Sequence, residues 1–248
     1  MNARDALIEL YWPLERAIVP GLRYSQTVFE EALTDAVRRA SHWLDLGCGR
    51  RLLPPWRGDA ERSLFAQCER VVGLDYDLPS LRDNVTVPLR CRGDIALLPF
   101  PDASFDLVTA NMVMEHLDDP AQEFREIHRV LRPGGRLLFH TVNANGHTVQ
   151  LSRRFPDGLK RHVARFFDGR SEEDVFPTRY RVNTVDDIHR FAGEAGFDQV
   201  DIRPISTCAI FAVVPPLAIM ELLWIRTVRS EQRAGLRSNL IVTLGRSI

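Results

Sequence analysis

Three carboxylates stand at the ends of three successive candidate strands in the first half of the chain: Asp45, Asp75 and Asp94. Asp45 lies in Trp43-Leu44-Asp45-Leu46-Gly47-Cys48-Gly49, a buried strand running into a glycine-rich turn at its carboxyl end, where open α/β sheets hold ligands. A dinucleotide fingerprint would place glycine at position 52, which is Leu52, and Asp45 would repel a pyrophosphate. Both departures favour a cationic or zwitterionic ligand, with its carboxylate on the turn's N–H groups and its ammonium drawn toward Asp45. Asp75 ends Val71-Val72-Gly73-Leu74-Asp75 and suits two hydrogen bonds from a ribose, with Tyr76 beside it. Gly93-Asp94-Ile95 adds a third carboxylate and an apolar neighbour able to bind and cover an adenine. Each acid alone has a plainer explanation as a helix N-cap or turn residue; three in succession are harder to assign to chance.

A second group of residues suits proton transfer or acceptor recognition. Asn111, Met112, Glu115 and His116 follow the fourth candidate strand, and His140 and Asn143 end the fifth, with His147 close behind. Glu115 with His116 could form an acid and base pair; alternatively His116 packs on the sheet and Glu115 bonds backbone or cofactor. An imidazole at His140 would titrate near the working pH and could take a proton from an acceptor hydroxyl, although a structural role fits it equally well. Tyr180 and Arg181, just before a candidate helix at Val185, are candidates for substrate contact at a pocket mouth. No cluster has metal-ligand spacing and no metal is expected. The only lysine, Lys160, lies in a polar stretch poorly placed for a Schiff base. Cys48 reads as a small turn residue.

These residues need a scaffold, and hydrophobic patterning supplies one. Candidate strands cover His42 to Leu46, Arg70 to Asp75, Leu89 to Arg92, Phe105 to Ala110, Arg136 to Val142, Val200 to Arg203 and Asn239 to Leu244. Helical periodicity occupies Gln26 to Arg39, with Ser25 as N-cap, then Ala121 to Leu131 and Val185 to Ala195. Strand and helix alternation predicts a mostly parallel sheet covered on both faces. The apolar run Cys208 to Ile225 contains Pro215, Pro216 and Glu221 and is expected to be a buried strand followed by an amphipathic helix.

Together these motifs resemble the class I S-adenosylmethionine-dependent methyltransferases, particularly the small-molecule group related to quinone biosynthesis (type 11). The resemblance rests on Leu44 to Gly49, Gly73-Leu74-Asp75, Gly93-Asp94-Ile95, Leu98 to Asp106, Met114-Glu115-His116-Leu117 and Leu131-Arg132-Pro133-Gly134-Gly135. It implies a Rossmann-like seven-stranded sheet with its last strand antiparallel, helices on both faces and S-adenosylmethionine over the ends of the first strands. The implied cofactor residues are Asp45, Gly47, Cys48, Gly49, Asp75, Tyr76, Gly93, Asp94, Ile95, Asn111, Met112 and Glu115; His140 and His116 would be catalytic, and Asn143, Tyr180 and Arg181 substrate-binding. The family's third turn glycine is Arg51 here, so the loop is longer and the next helix is expected to start near Asp59. The implied reaction is methyl transfer to a small-molecule acceptor, with oxygen preferred. A non-catalytic S-adenosylmethionine-binding protein is the first alternative, and a nicotinamide-dependent reductase, weakened by Leu52 and Asp45, is the second.

The 248 residues carry a formal charge of −1, which gives no electrostatic footprint for nucleic acid. Asn111-Met112-Val113-Met114 also lacks the two prolines and the aromatic expected after an acidic or amide residue for amino methylation of nucleic acids. We expect a cytoplasmic protein without secretory signal, its four cysteines free and no segment spanning a membrane, with peripheral membrane contact left open. The expected organisation is one methyltransferase domain over 1–248, comprising a helical lead (1–40), a cofactor-binding core (41–142), a helical cap insertion (143–183) and the remainder of the sheet (184–248). The cap holds eight basic and five acidic residues, a surplus that suits an anionic or lipid-linked acceptor.

Overall fold

The computed structural model describes residues 3–154, 177–207 and 210–247. They form two compact units. The larger comprises Val28–Thr141, Arg179–Arg203 and Ile241–Ile248; the smaller comprises Met1–Thr27, Val142–Thr178 and Pro204–Leu240. Most of the expected cap, including the apolar stripe Leu159, Val163, Phe166 and Phe167, lies outside the described residues. Residues 179–183 go with the larger unit, because the Arg179 and Tyr180 N–H groups both donate to the Glu115 carbonyl, at 2.7 and 3.1 Å.

Seven strands make one sheet: β1 (His42–Leu46), β2 (Arg70–Asp75), β3 (Leu89–Arg92), β4 (Phe105–Asn111), β5 (Leu131–Val142), β6 (Gln199–Ile205) and β7 (Asn239–Gly245). Their order is β3-β2-β1-β4-β5-β7-β6. The first five pair in parallel. β7 runs against β5, since Gly134 and Gly135 bond Arg246 while Asn143 bonds Ser238. Parallel strands covered on both faces must be apolar along their length, and Trp43, Leu44, Leu46, Leu107, Val108 and Ala110 are accordingly no more than 1% exposed.

Helices α1 (Ala3–Ile18), α2 (Ser25–Val37), α3 (Gly58–Phe65), α4 (Leu78–Asp83), α5 (Pro120–Val130), α6 (His147–Ser152), α7 (Val185–Ala195) and α8 (Pro215–Thr227) complete the described architecture. Their ends follow from local chemistry. Asp119 accepts from the Gln122 N–H at 3.2 Å and Pro120 fills the first position of α5. Thr184 caps α7, which stops at Gly196 in the left-handed conformation. α5 then buries Phe124, Ile127 and Val130, and the Phe124 ring meets Phe139 of β5 and Phe191 of α7 at 6.4 and 6.2 Å.

Three differences from the sequence expectations have physical causes. β5 begins at Leu131 rather than Arg136: its start pairs with Phe105 across a register shift, and a Cβ on Gly135 would lie 2.8 Å from the Arg132 carbonyl. Such a bulge hides strand from a period-two reading. Ser25 is the first helical residue of α2 instead of its cap. The run expected as a strand before an amphipathic helix has turns at 210–213, and α8 is apolar on both its inner and outer faces. The expected helix near Asp59 starts at Gly58, after a 3-10 turn at Pro55–Arg57.

Candidate functional site

β1, β2 and β4 deliver their carboxyl ends to one edge of the larger unit. Asp45 is 2% exposed, and its Oδ1 accepts from Thr109 Oγ1 at 2.6 Å, while Thr109 accepts in turn from Trp43 Nε1 at 2.7 Å. Burial raises the Asp45 carboxyl to about 7; the Thr109 hydrogen bond opposes this, and the charges of Asp75 and Glu61 add to it. The carboxyl is thus held at the edge of ionisation, ready to be drawn into its charged form by a cation.

The turn after β1 requires its glycines. Gly47 and Gly49 have φ of +63° and +47°. A Cβ on Gly47 would lie 2.4 Å from Val113 Cγ2 on the loop after β4, so the neighbour enforcing this glycine is a protein side chain. Gly73 likewise makes room for Cys48, whose Sγ would stand 2.7 Å from an added Cβ. Burial, with Asp45 and Asp75 nearby, pushes the Cys48 thiol far up, which removes it as a nucleophile. Asn84, fully buried, fastens the turn from below by donating to the Cys48 and Gly49 carbonyls at 3.2 and 2.9 Å.

Asp75 joins this turn to the second strand end. Its Oδ2 accepts from the Gly49 N–H at 2.7 Å and its Oδ1 from the Asp77 N–H at 2.8 Å, leaving acceptor capacity on a half-buried carboxylate. Tyr76 is 70% exposed, with the Arg92 guanidinium 5.7 Å from its ring centre. The Gly93 N–H donates to the Asp75 carbonyl at 3.1 Å, bringing Asp94 and Ile95 alongside. Asp94 is exposed and accepts from the Ala96 N–H; Ile95 is half-buried.

Beyond β4 the backbone is strained. Met112 has φ of +58°, and Tyr180 has +53°; with Ala103 they are the non-glycine residues of positive φ among those described. The Met112 N–H donates to the His140 carbonyl at 2.8 Å, and the His140 ring holds Asn111 Oδ1 through Nδ1 at 2.9 Å and stacks on Phe29 at 5.8 Å. Burial lowers the His140 imidazole to about 4, so at neutral pH it is uncharged and weakly basic. Glu115 is buried and accepts from Thr141 Oγ1 at 2.8 Å, and Thr141 accepts from Asn183 at 2.7 Å. His116 is half-buried in the turn that follows Val113. The Arg181 guanidinium donates to the Asp118 carbonyl, and Arg179 pairs with the Asp118 carboxylate at 2.8 Å.

Asn143 belongs to the smaller unit and is fully buried. Its amide donates to the carbonyls of Gly235 and Arg237 at 2.8 and 2.7 Å, and its own carbonyl accepts from the Asn145 N–H. Its polar atoms are thereby spent on folding the loop. At the opposite, amino end of the strands, Asp106, Pro133, Gly134 and Arg136 line a cavity of about 150 Å³, remote from the glycine turn. Thr109, Asn84 and Val113 support the site without having drawn attention in the sequence: each acts on a residue 35 to 66 positions away, and nothing local marks such a partner.

A profile described as a methyltransferase domain matches residues 44–139. A malonyl-[acyl-carrier protein] O-methyltransferase from Coxiella burnetii is 40% identical over 98 residues, covering 40% of this chain and 33% of the relative. A demethylmenaquinone methyltransferase from Lactiplantibacillus plantarum is 42% identical over 108 residues, covering 40% of this chain and 44% of the relative. The chain thus spans less than half the length of either relative. Among solved structures, an S-adenosylmethionine-dependent methyltransferase from Mesorhizobium loti superimposes with a TM-score of 0.56 at 19% identity, over 90% of this chain and 98% of that one, a likeness of fold. With its glycine turn and its acids at successive strand ends, the matched segment 44–139 is similar to the methyltransferase domain of these relatives.

Proposed function

We propose that this protein transfers a methyl group from S-adenosylmethionine to a small-molecule acceptor, at oxygen. The observation that carries the proposal is the junction of Gly49 with Asp75, where a left-handed glycine turn is fastened to a carboxylate that keeps open acceptor sites. Such a junction sets a ribose acceptor directly beside the glycine turn at the strand ends. The buried Asp45 adds a carboxyl whose ionisation a sulfonium or ammonium would complete. In this reading Asp45, Gly47, Cys48 and Gly49 hold the amino-acid end, Asp75 and Tyr76 the ribose, and Gly93, Asp94 and Ile95 the adenine. Asn111, Met112 and Glu115 line the side toward the acceptor.

S-adenosylmethionine supplies a methyl group on a sulfonium, already activated for displacement. The protein's task is alignment and the exclusion of water, which can lower such a barrier by several kcal/mol. His140, neutral and hydrogen-bonded to Asn111, is suited to orienting that side of the site rather than to storing a proton at neutral pH. His116, Tyr180 and Arg181 remain the candidates for acceptor contact. The preference for oxygen draws support from the relative named as an O-methyltransferase and none from geometry.

Incubating the purified chain with S-adenosylmethionine and a metabolite extract, and following S-adenosylhomocysteine together with methylated products by mass spectrometry, tests the proposal. Product carrying one added methyl on oxygen is expected. Tight cofactor binding without turnover would make the chain a cofactor sensor instead, and methylation at nitrogen or carbon would refute the choice of oxygen.

A further inference from the structure

The sequence of α8, Pro-Pro-Leu-Ala-Ile-Met-Glu-Leu-Leu-Trp-Ile-Arg-Thr, is apolar around nearly its whole circumference, and the smaller unit uses only one side of it. Ala218, Leu222 and Ile225 turn inward to a cluster with Tyr11 and Val19 of α1. At 100° per residue the opposite arc carries Pro216, Leu217, Ile219, Met220, Leu223 and Trp224. Met220 is 66% exposed, Leu223 49%, Leu217 40% and Trp224 39%. Polar residues enter this arc only in the last turn, as Arg226 and Thr227. A contiguous apolar face of this kind normally has something to cover it.

Charge around the arc selects the occupant. Between residues 204 and 240 there are two carboxylates. Glu221 is buried, held by His147 at 2.8 Å and by the Phe211 N–H at 3.0 Å, and Glu231 is paired with Arg237 at 2.7 Å. Arg226, Arg229 and Arg233 are exposed and form no ion pair among the described residues, and Arg229 donates one guanidinium N–H to the Pro20 carbonyl at 2.7 Å. A second copy of the chain, meeting this face symmetrically, would bring the same arginines together. An anionic lipid surface would neutralise them while taking up the apolar arc. Thirteen helical residues reach about 20 Å, short of the ~30 Å apolar core of a bilayer. No helix among the described residues is long and apolar enough to cross a membrane, so α8 would lie along the surface. Trp224, packed edge-on to the His147 ring at 6.4 Å, is the residue type favoured at that depth.

We propose that the outer face of α8 docks this protein on anionic membrane surfaces, with the apolar arc seated at the headgroup boundary and Arg226, Arg229 and Arg233 on lipid phosphates. The inference is independent of the methyl-transfer reading. The test is co-sedimentation of the full chain with vesicles of phosphatidylcholine, with and without phosphatidylglycerol, alongside tryptophan fluorescence. Binding that needs phosphatidylglycerol, weakens with salt and shifts the emission to the blue is expected, with the shift lost in Trp224→Phe. Arg226→Gln with Arg233→Gln should lower partitioning about 25-fold, at roughly fivefold per arginine. Met220→Glu with Leu223→Glu should abolish it. These positions are exposed, so thermal unfolding of the variants should stay near that of the parent. Absence of binding, or equal binding of parent and Met220→Glu/Leu223→Glu variant, would overturn the proposal, as would a lipid-free dimer that Met220→Glu dissociates.

Discussion

Asp45 has a carboxyl that burial holds near neutrality, and this gives cofactor binding and folding opposite responses to pH. Between its ordinary value of 3.8 and about 7, the folded chain keeps a proton that the unfolded chain has released, so raising the pH through this window removes stability. Glu123, lifted to about 7 by burial, contributes in the same direction. A cationic ligand favours the ionised form, so affinity for S-adenosylmethionine should rise as pH approaches 7 and then level off, with proton release on binding at pH 6. Calorimetry in buffers of differing ionisation enthalpy reads this directly, and Asp45→Asn should flatten the dependence. If the parent protein shows no proton release, Asp45 does not meet the ligand's charge. Asp75→Ala should weaken binding by about 2 kcal/mol, the scale of lost charge-assisted hydrogen bonds. An unchanged dissociation constant would remove Asp75 from the ribose site. The positions of these acids were legible because strand-end carboxylates follow apolar runs. The Thr109 and Trp43 groups that hold Asp45 were not, since Thr109 comes from the neighbouring strand and Trp43, two residues before Asp45 on the same face of β1, reaches it only through Thr109.

At the scale of elements, the loops on either side of the site constrain one another. Gly47 is held by its positive φ and by Val113, so Gly47→Ala combines backbone strain with a steric clash. We expect it to cost about 2 kcal/mol of stability in urea denaturation and to weaken cofactor binding, with Val113→Ala restoring part of the loss. Full retention of both properties in Gly47→Ala would show that the turn tolerates a side chain. β1, β2 and β3 match their sequence boundaries residue for residue: apolar runs ended by glycine or acid leave β1 and β2 little latitude, and β3, Leu-Arg-Cys-Arg, stops at the Gly93 that follows it. In the run 208–225 the expected helix is present as α8, whereas the described residues 210–213 form turns in place of the expected strand, because a short apolar stretch without period does not distinguish the two. Prolines at 215 and 216, which open α8, were the informative signal, as residues suited to a first helical turn.

For the whole molecule, sequence patterning captured the seven strands and their order of appearance, but it could not show the division into two compact units. Each unit is assembled from segments far apart in the chain, and periodicity describes only what is near in sequence. The same non-locality governs how the sheet is put together. β7 is the last described strand to be synthesised, yet it lies inside the sheet between β5 and β6 and runs against β5. Until it leaves the ribosome, β5 presents an open edge and β6 has no neighbour to bond. The parallel portion from β3 to β5 can form during translation, but closure must wait for β7, an expensive long-range step late in assembly. A chain ending at Ser238 should therefore remain protease-sensitive throughout residues 199–238 and aggregate through the exposed β5 edge, whereas release of the following residues should give protection in one cooperative step. Nascent chains of increasing length, probed by limited proteolysis on stalled ribosomes, would reveal that step; protection of β6 before β7 emerges would contradict it. Translation pauses placed after β6 thus carry a hazard of misassembly that pauses between β1 and β4 do not.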